Sequence, residues 1–164
     1  MFAGEKVVIF RKTIAGLSPS TLERFVLRAR KMVRLAGTAN ILITNNSEMR
    51  SLNRRFRKVD KPTDVLSFPS PPDENRPTRR VAGEIAISVD IARENARRLR
   101  HPVAEEIKIL TLHGVLHLAG FDHENDKGEM ARKELHLRQA LKLNTGLIER
   151  AQPLSRSRSA RRMA

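Results

Sequence analysis

The spacing of hydrophobic positions changes several times along the chain, and each change marks an element. "VVIF" (7–10) is a short continuous apolar run, the pattern of a buried strand. "SPSTLERFVLRARKMVRLAG" follows, with Leu22, Phe25, Val26, Ala29 and Val33 on one helical face. Ser20 and Glu23 have the spacing of a capping box, and Gly37 suits the helix end. "NILIT" (40–44) reads as a second strand. "SEMRSLNRRFR" places Met49, Leu52 and Phe56 on one face of a shorter helix, with arginines opposite. "TDVLSF" (63–68) and the alternating "GEIAIS" (83–88) are a third and a fourth strand. Between them "PSPPDENRPTRR" (69–80), with four prolines and no other apolar residue, is a loop.

Helical spacing then takes over. "VDIARENARRLR" (89–100) carries basic residues on its outer face. "PVAEEIKILTLHGVLHLAG" (102–120) opens with Pro102 and two glutamates, which suit a helix N-terminus. From Ile107 to Leu118 it is nearly all apolar, so this helix is central and buried. "KGEMARKELHLRQALKL" (127–143) is the last helix. The first connections suggest parallel crossovers and the Pro-rich loop an antiparallel return. The order predicts an α+β fold, a small mixed four-stranded sheet packed with about five helices. Residues 1–150 form one domain. Residues 151–164, "AQPLSRSRSARRMA", have four arginines and no acid, and read as a basic disordered tail.

Charge sharpens this picture. The 164 residues include 32 Lys and Arg against 18 Asp and Glu, a net charge of +14. A polyanion partner follows naturally, because each neutralised phosphate releases counterions. Six Phe and no Trp or Tyr leave few rings for stacking on bases, so backbone and shape contacts are expected instead. With no cysteine, any metal must be held by nitrogen and oxygen ligands. No apolar run approaches a membrane span, and "MFAGEKVVIFRK" lacks the core of a secretory signal. A soluble cytoplasmic protein without membrane contact is expected.

Candidate chemistry concentrates in "HGVLHLAGFDH" (113–123), which holds three of the five histidines. His113 and His117, four apart, share a helix face. Gly120 can end the helix in the left-handed conformation and let the chain bring His123 back toward them. Three imidazoles leave an open coordination position, the pattern of a catalytic zinc site. The spacing is that of the metzincin proteases, but Gly114 stands where those enzymes keep a glutamate. Asp122 is expected to support a ligand imidazole in preference to capping a turn. His101 reads as a loop residue and His136 as a surface residue.

The same residues carry a family resemblance. "HGVLHLAGFDH" resembles the HGxLHxxGxDH signature of the YbeY endoribonuclease family. "LNRRFRKVDKPTDVLSFP" (52–69) resembles that family's LNxxYRxxDxPTDVLSFP segment, with Phe56 where tyrosine is common. "GEIAIS" resembles its GDIxIS strand, with Glu84 in place of aspartate. The similarity runs from about Asn40 to Leu143. It implies a single-strand-specific, metal-dependent endoribonuclease of small-subunit ribosomal RNA 3′-end maturation and ribosome quality control. It further implies single-stranded ribosomal RNA and the small subunit or its assembly factors as partners. It places one zinc ion (Zn2+) on His113, His117 and His123, and makes Arg57 a functional arginine.

Gly114 then becomes intelligible. Peptide hydrolysis needs a positioned carboxylate to protonate a poor amine leaving group. In phosphodiester cleavage charge develops on phosphoryl oxygens, which a metal and an arginine suit better. A glutamate at 114 would repel the phosphodiester, and glycine leaves room for the backbone to approach; the other reading of Gly114 is close helix packing. A base from elsewhere, Asp64 or Glu84, stays open. Arg54, Arg55, Lys58 and Lys61 flank Arg57, while Thr63 and Asp64 read as shaping the turn into the strand. Two alternatives stand beside the nuclease: a zinc-dependent peptidase-like hydrolase, and a non-catalytic ribosome-assembly factor with a structural zinc.

Overall fold

The computed structural model describes residues 7–72, 74–75 and 80–143. The four strands are β1 (Val8–Phe10), β2 (Thr38–Thr44), β3 (Val65–Pro69) and β4 (Val81–Ser88). The five helices are α1 (Pro19–Met32), α2 (Asn46–Arg57), α3 (Val89–Leu99), α4 (Val103–Leu118) and α5 (Glu129–Ala140). The sheet order is β1-β2-β4-β3. β1, β2 and β4 are parallel and β3 returns antiparallel along the edge. This is the expected mixed sheet with helices. The 151–164 segment lies outside the described residues, as does the middle of the Pro-rich loop.

Strand alternation sorts the side chains into two layers. Ile41, Ile43, Ile85 and Ile87 enter the larger core with Leu22 and Val26 of α1 and the apolar length of α4. Leu42, Leu66 and Ala86 turn to the other face and meet Met49 of α2. From Glu106 to Leu116 every residue of α4 except the half-buried Lys108 is buried, which explains a composition that lacks a polar face. No helix among the described residues is long and apolar enough to cross a membrane.

Several local expectations are corrected. Ser18, not Ser20, caps α1: its Oγ accepts from the Thr21 amide at 3.2 Å. Pro19 has no N–H to lose and a fixed φ, so the helix starts two residues earlier than the capping-box spacing suggests. The helix also ends before Gly37, at Met32, closed by the Leu35 amide on the Arg30 carbonyl. Gly37 belongs instead to the turn into β2. Phe56 continues the apolar stripe of α2 yet is 52% exposed, because the last turn projects past the cover of the sheet. His101 is no ordinary loop residue. Its Nε2 lies 2.6 Å from the Glu106 carboxylate, and both side chains are buried. His136 is exposed, as expected.

Candidate metal centre and the edge strand beside it

The site forms where α4 stops. Ala119 is the last capping residue, Gly120 has φ +94°, and two bonds close the end: Gly120 amide to His117 carbonyl, Phe121 amide to Leu116 carbonyl. That is a Schellman termination, and it requires a residue tolerant of positive φ. A Cβ on Gly120 would meet nothing within 4 Å, so glycine is needed there for the backbone angle and not for space. Beyond it the chain is held by two aspartates. Asp122 accepts from the Glu124 amide and the Asn125 side chain. Asp126 accepts from the amides of Gly128 and Met130, which starts α5. His123 sits between these two anchors.

The result gathers the three histidines. One ligand-capable nitrogen from each of His113, His117 and His123 lies within 4.8 Å of the others. The Nε2 atoms of His113 and His117 are 3.1 Å apart. Two nitrogens on one tetrahedral zinc, each at about 2.0–2.1 Å, would stand roughly 3.3 Å apart, so the pair fits such an ion. Exposure rises across the group: His113 is 5% exposed, His117 half-buried and His123 exposed. The cluster therefore opens to solvent on one side. Among the described residues no aspartate or glutamate joins this group.

Electrostatics favour a neutral ring at His117, the form of imidazole that binds metal. Burial first, and then the neighbouring His113 and His123, push His117 below the ordinary imidazole range. Asp122 is held below the usual carboxylate range, chiefly by the Asn125 side chain. Its hydrogen bonds show it building the turn, which corrects the expectation that it would support a ligand imidazole. That supporting place is taken by Glu134, on α5. Its Oε2 lies 3.2 Å from His113 Nδ1 at a buried position. A carboxylate only accepts, so Nδ1 carries the hydrogen and Nε2 keeps its lone pair for the cluster. Glu134 was not singled out from sequence. Its helical spacing from Met130 and Leu137, which puts a charge on the buried stripe, was the available signal.

For Gly114 the structure favours the second reading, close helix packing. A Cβ there would lie 2.8 Å from Ile85 Cγ2 and 2.9 Å from Cδ1. Close packing of α4 on β4 demands the glycine. The space it leaves is filled by Ile85 and not by an approaching substrate, so the expected room for a phosphodiester is absent. Of the two carboxylates kept open as bases, Asp64 accepts from the Val65 amide and the Thr63 hydroxyl and shapes the turn into β3. Glu84 alternates with Ile85 and so projects from the sheet face away from α4. The structure brings neither into the histidine group.

Arg57 ends α2 and reaches β3 from the other side. Its Nη2 donates to the Ser67 carbonyl at 3.3 Å, and the residue is exposed. Asp64 and Ser70 carry the backbone bonds to β4, so Ser67 turns its carbonyl to the free edge of the sheet. The Ser67 hydroxyl meanwhile donates to the Gly114 carbonyl at 3.3 Å. One edge-strand residue thus ties Arg57 to the turn of α4 that carries His113. Ser67 had no signal of its own in the sequence beyond its place in the strand.

A family model described as endoribonuclease YbeY matches residues 11–142. The chain belongs to this family. An endoribonuclease YbeY of Koribacter versatilis is 53% identical over 144 residues, covering 88% of this chain and 91% of that relative. One from Solibacter usitatus is 49% identical over 145 residues, 88% and 94% covered. The solution structure of a Thermotoga maritima protein superposes with a TM-score of 0.53 at 29% identity, over 82% of this chain and 92% of that one. The YbeY match spans both the edge-strand segment with Arg57 and the histidine run.

Proposed function

We propose that this chain is a zinc-dependent endoribonuclease that cuts single-stranded RNA. We further propose that it acts in the cytoplasm on the small ribosomal subunit, in maturation of the 3′ end of its RNA and in ribosome quality control. The observation that carries the chemistry is the open group of three imidazoles with no carboxylate among them. The family membership supports the RNA substrate, and the +14 net charge suits a polyanion.

His113, His117 and His123 would hold the ion. When bound it supplies a Lewis acid and lowers the pKa of water toward about 7. The chain does the rest. Glu134 fixes the tautomer and tilt of His113 from behind. The Schellman turn and the Asp122 and Asp126 anchors present His123 from the solvent side. Among the described residues the Ser67 carbonyl is the one acceptor on Arg57, which leaves most of its guanidinium donors free. The one weak bond to Ser67 aims it along the edge strand. There it serves as a planar donor to phosphoryl oxygens as charge develops on them. Among the described residues no acid joins the three ligand nitrogens, and the nearby Asp122, Asp126 and Glu134 are each engaged in hydrogen bonds.

Incubating the purified chain with single-stranded RNA, with the matching duplex and with casein, with and without chelator, tests the reading. Cleavage of the single strand alone, abolished by chelator, is expected. Casein hydrolysis would point to a peptidase, and chelator-resistant RNA cleavage would remove the metal from the reaction.

A further inference from the structure

The residue before Arg57 is the one large aromatic that the described structure leaves outside the core. Phe10, Phe25, Phe68 and Phe121 are partly buried against the two apolar clusters. Phe56 is 52% exposed. Its ring is nevertheless fixed, because it packs on Phe68 of β3 with centroids 5.0 Å apart at 53°. The sheet therefore supports one side of the ring and leaves the other outward. The Arg55 guanidinium lies 5.1 Å from the ring centre, and Arg54, Arg55, Arg57 and Lys58 around it are all exposed. Asp60, the nearest acid in sequence, is engaged by Arg50 at 2.9 Å.

Resting on the reading that this chain cuts RNA, we propose that Phe56 is a stacking platform for an unpaired nucleobase, one step from the phosphate held by Arg57. Three features favour a nucleobase. A ring surrounded by cations matches a ligand that alternates flat apolar faces with negative charge. The core of a protein–protein interface is instead depleted of charge. Platform and phosphate donor are consecutive residues that contact consecutive residues of one strand: Phe56 meets Phe68, and Arg57 meets Ser67. Ser67 in turn holds α4 at Gly114, beside His113. The geometry thus places a base grip and a phosphate grip on the edge strand that is tied to the imidazole group. Among the described residues Arg55 forms only an exposed cation–π pair, weak enough to be displaced and to close over the base. Stacking also supplies a physical source of single-strand preference, since a paired base cannot leave its duplex to lie on the ring. It is tolerant of sequence, because every base offers a π-face.

The chain has no Trp, so Phe56→Trp in the full, zinc-loaded protein carries one indole reporter. Its fluorescence should be quenched by a short single-stranded RNA, and not by the matching duplex or by polyphosphate at equal charge. In parallel, Phe56→Leu keeps apolar cover over Phe68 but loses the π-face. It should bind the single strand on the order of tenfold more weakly, with duplex and polyphosphate affinity unchanged. Phe56→Tyr should bind as the wild type does. Equal single-strand affinity for Phe56→Leu and wild type, while the wild type still cuts RNA, would overturn the platform and leave the nuclease reading standing. Failure of the wild type to bind or cut RNA would remove both. Unchanged RNA binding with lost association to the small subunit would assign the ring to a protein contact and overturn the proposal.

Discussion

Two buried histidine–glutamate pairs lie along α4, one near each end, and only one of them belongs to a candidate site. At the start, His101 gives its Nε2 to Glu106. At the far end, His113 gives its Nδ1 to Glu134 and keeps Nε2 3.1 Å from another imidazole. Both glutamates are essentially inaccessible to solvent. The pairing chemistry is the same, so a buried histidine bonded to a carboxylate does not mark a site. What distinguishes His113 is which nitrogen the carboxylate takes. Glu106 consumes the outer nitrogen of His101 and fastens the α3–α4 turn. Glu134 takes the inner nitrogen of His113 and so directs the outer one toward two further rings.

The comparison breaks most sharply by deletion. His113→Ala should lose stoichiometric zinc and all RNA cleavage, and His117→Ala or His123→Ala should do the same. His101→Ala should keep full zinc and lose about 1–3 kcal/mol of stability, because a buried carboxylate forfeits a partner. Metal analysis and thermal melting of the four variants separate the roles. Full zinc occupancy in any of the first three would sink the ligand assignment for that residue.

The next largest effect concerns Arg57, which lies outside both pairs. Arg57→Ala should keep its zinc and its melting temperature and lose cleavage by about 10²–10³ at saturating RNA. Arg57→Lys should recover only part of that, since lysine lacks the planar fork. Wild-type turnover by Arg57→Ala would take the arginine out of the mechanism.

Smaller again is the effect of the carboxylates themselves. Glu134→Gln should weaken zinc binding by roughly 10–100-fold, the usual cost of disturbing the partner of a metal-binding imidazole. Glu106→Gln should leave zinc affinity alone. Competition with a metallochromic chelator reads both, and equal affinities would erase the distinction between the pairs. The smallest effect is expected from deleting residues 151–164, which removes four arginines. The melting temperature should hold, and RNA affinity should fall modestly with a shallower salt dependence. A truncated chain that fails to fold would move the domain boundary.

How far these features were legible in the sequence depends on their range. The elements were, because each rests on local periodicity, as in the apolar length of α4 and the alternation of β4. The histidine group was legible too, since helical spacing and one turn glycine bring it together within eleven residues. Glu134 was not, being 21 residues from His113 on another helix. The exposure of Phe56 was hidden for a similar reason. Its spacing from Met49 and Leu52 predicts burial, and only the position of the sheet edge decides that the last turn projects beyond it. Gly114 was legible only as a choice between two causes, room for a substrate and close helix packing. A missing side chain looks like a missing base in sequence, whereas the packing of Ile85 explains it in the fold.

The most direct test of metal-dependent RNA cleavage at the imidazole group is a zinc titration of metal-stripped protein, followed by cleavage of single-stranded RNA. Activity should be absent at the start, rise in proportion to added zinc and saturate at one ion per chain, with no recovery in His117→Ala. Cleavage that persists after stripping, or that returns equally in His117→Ala, would contradict the account.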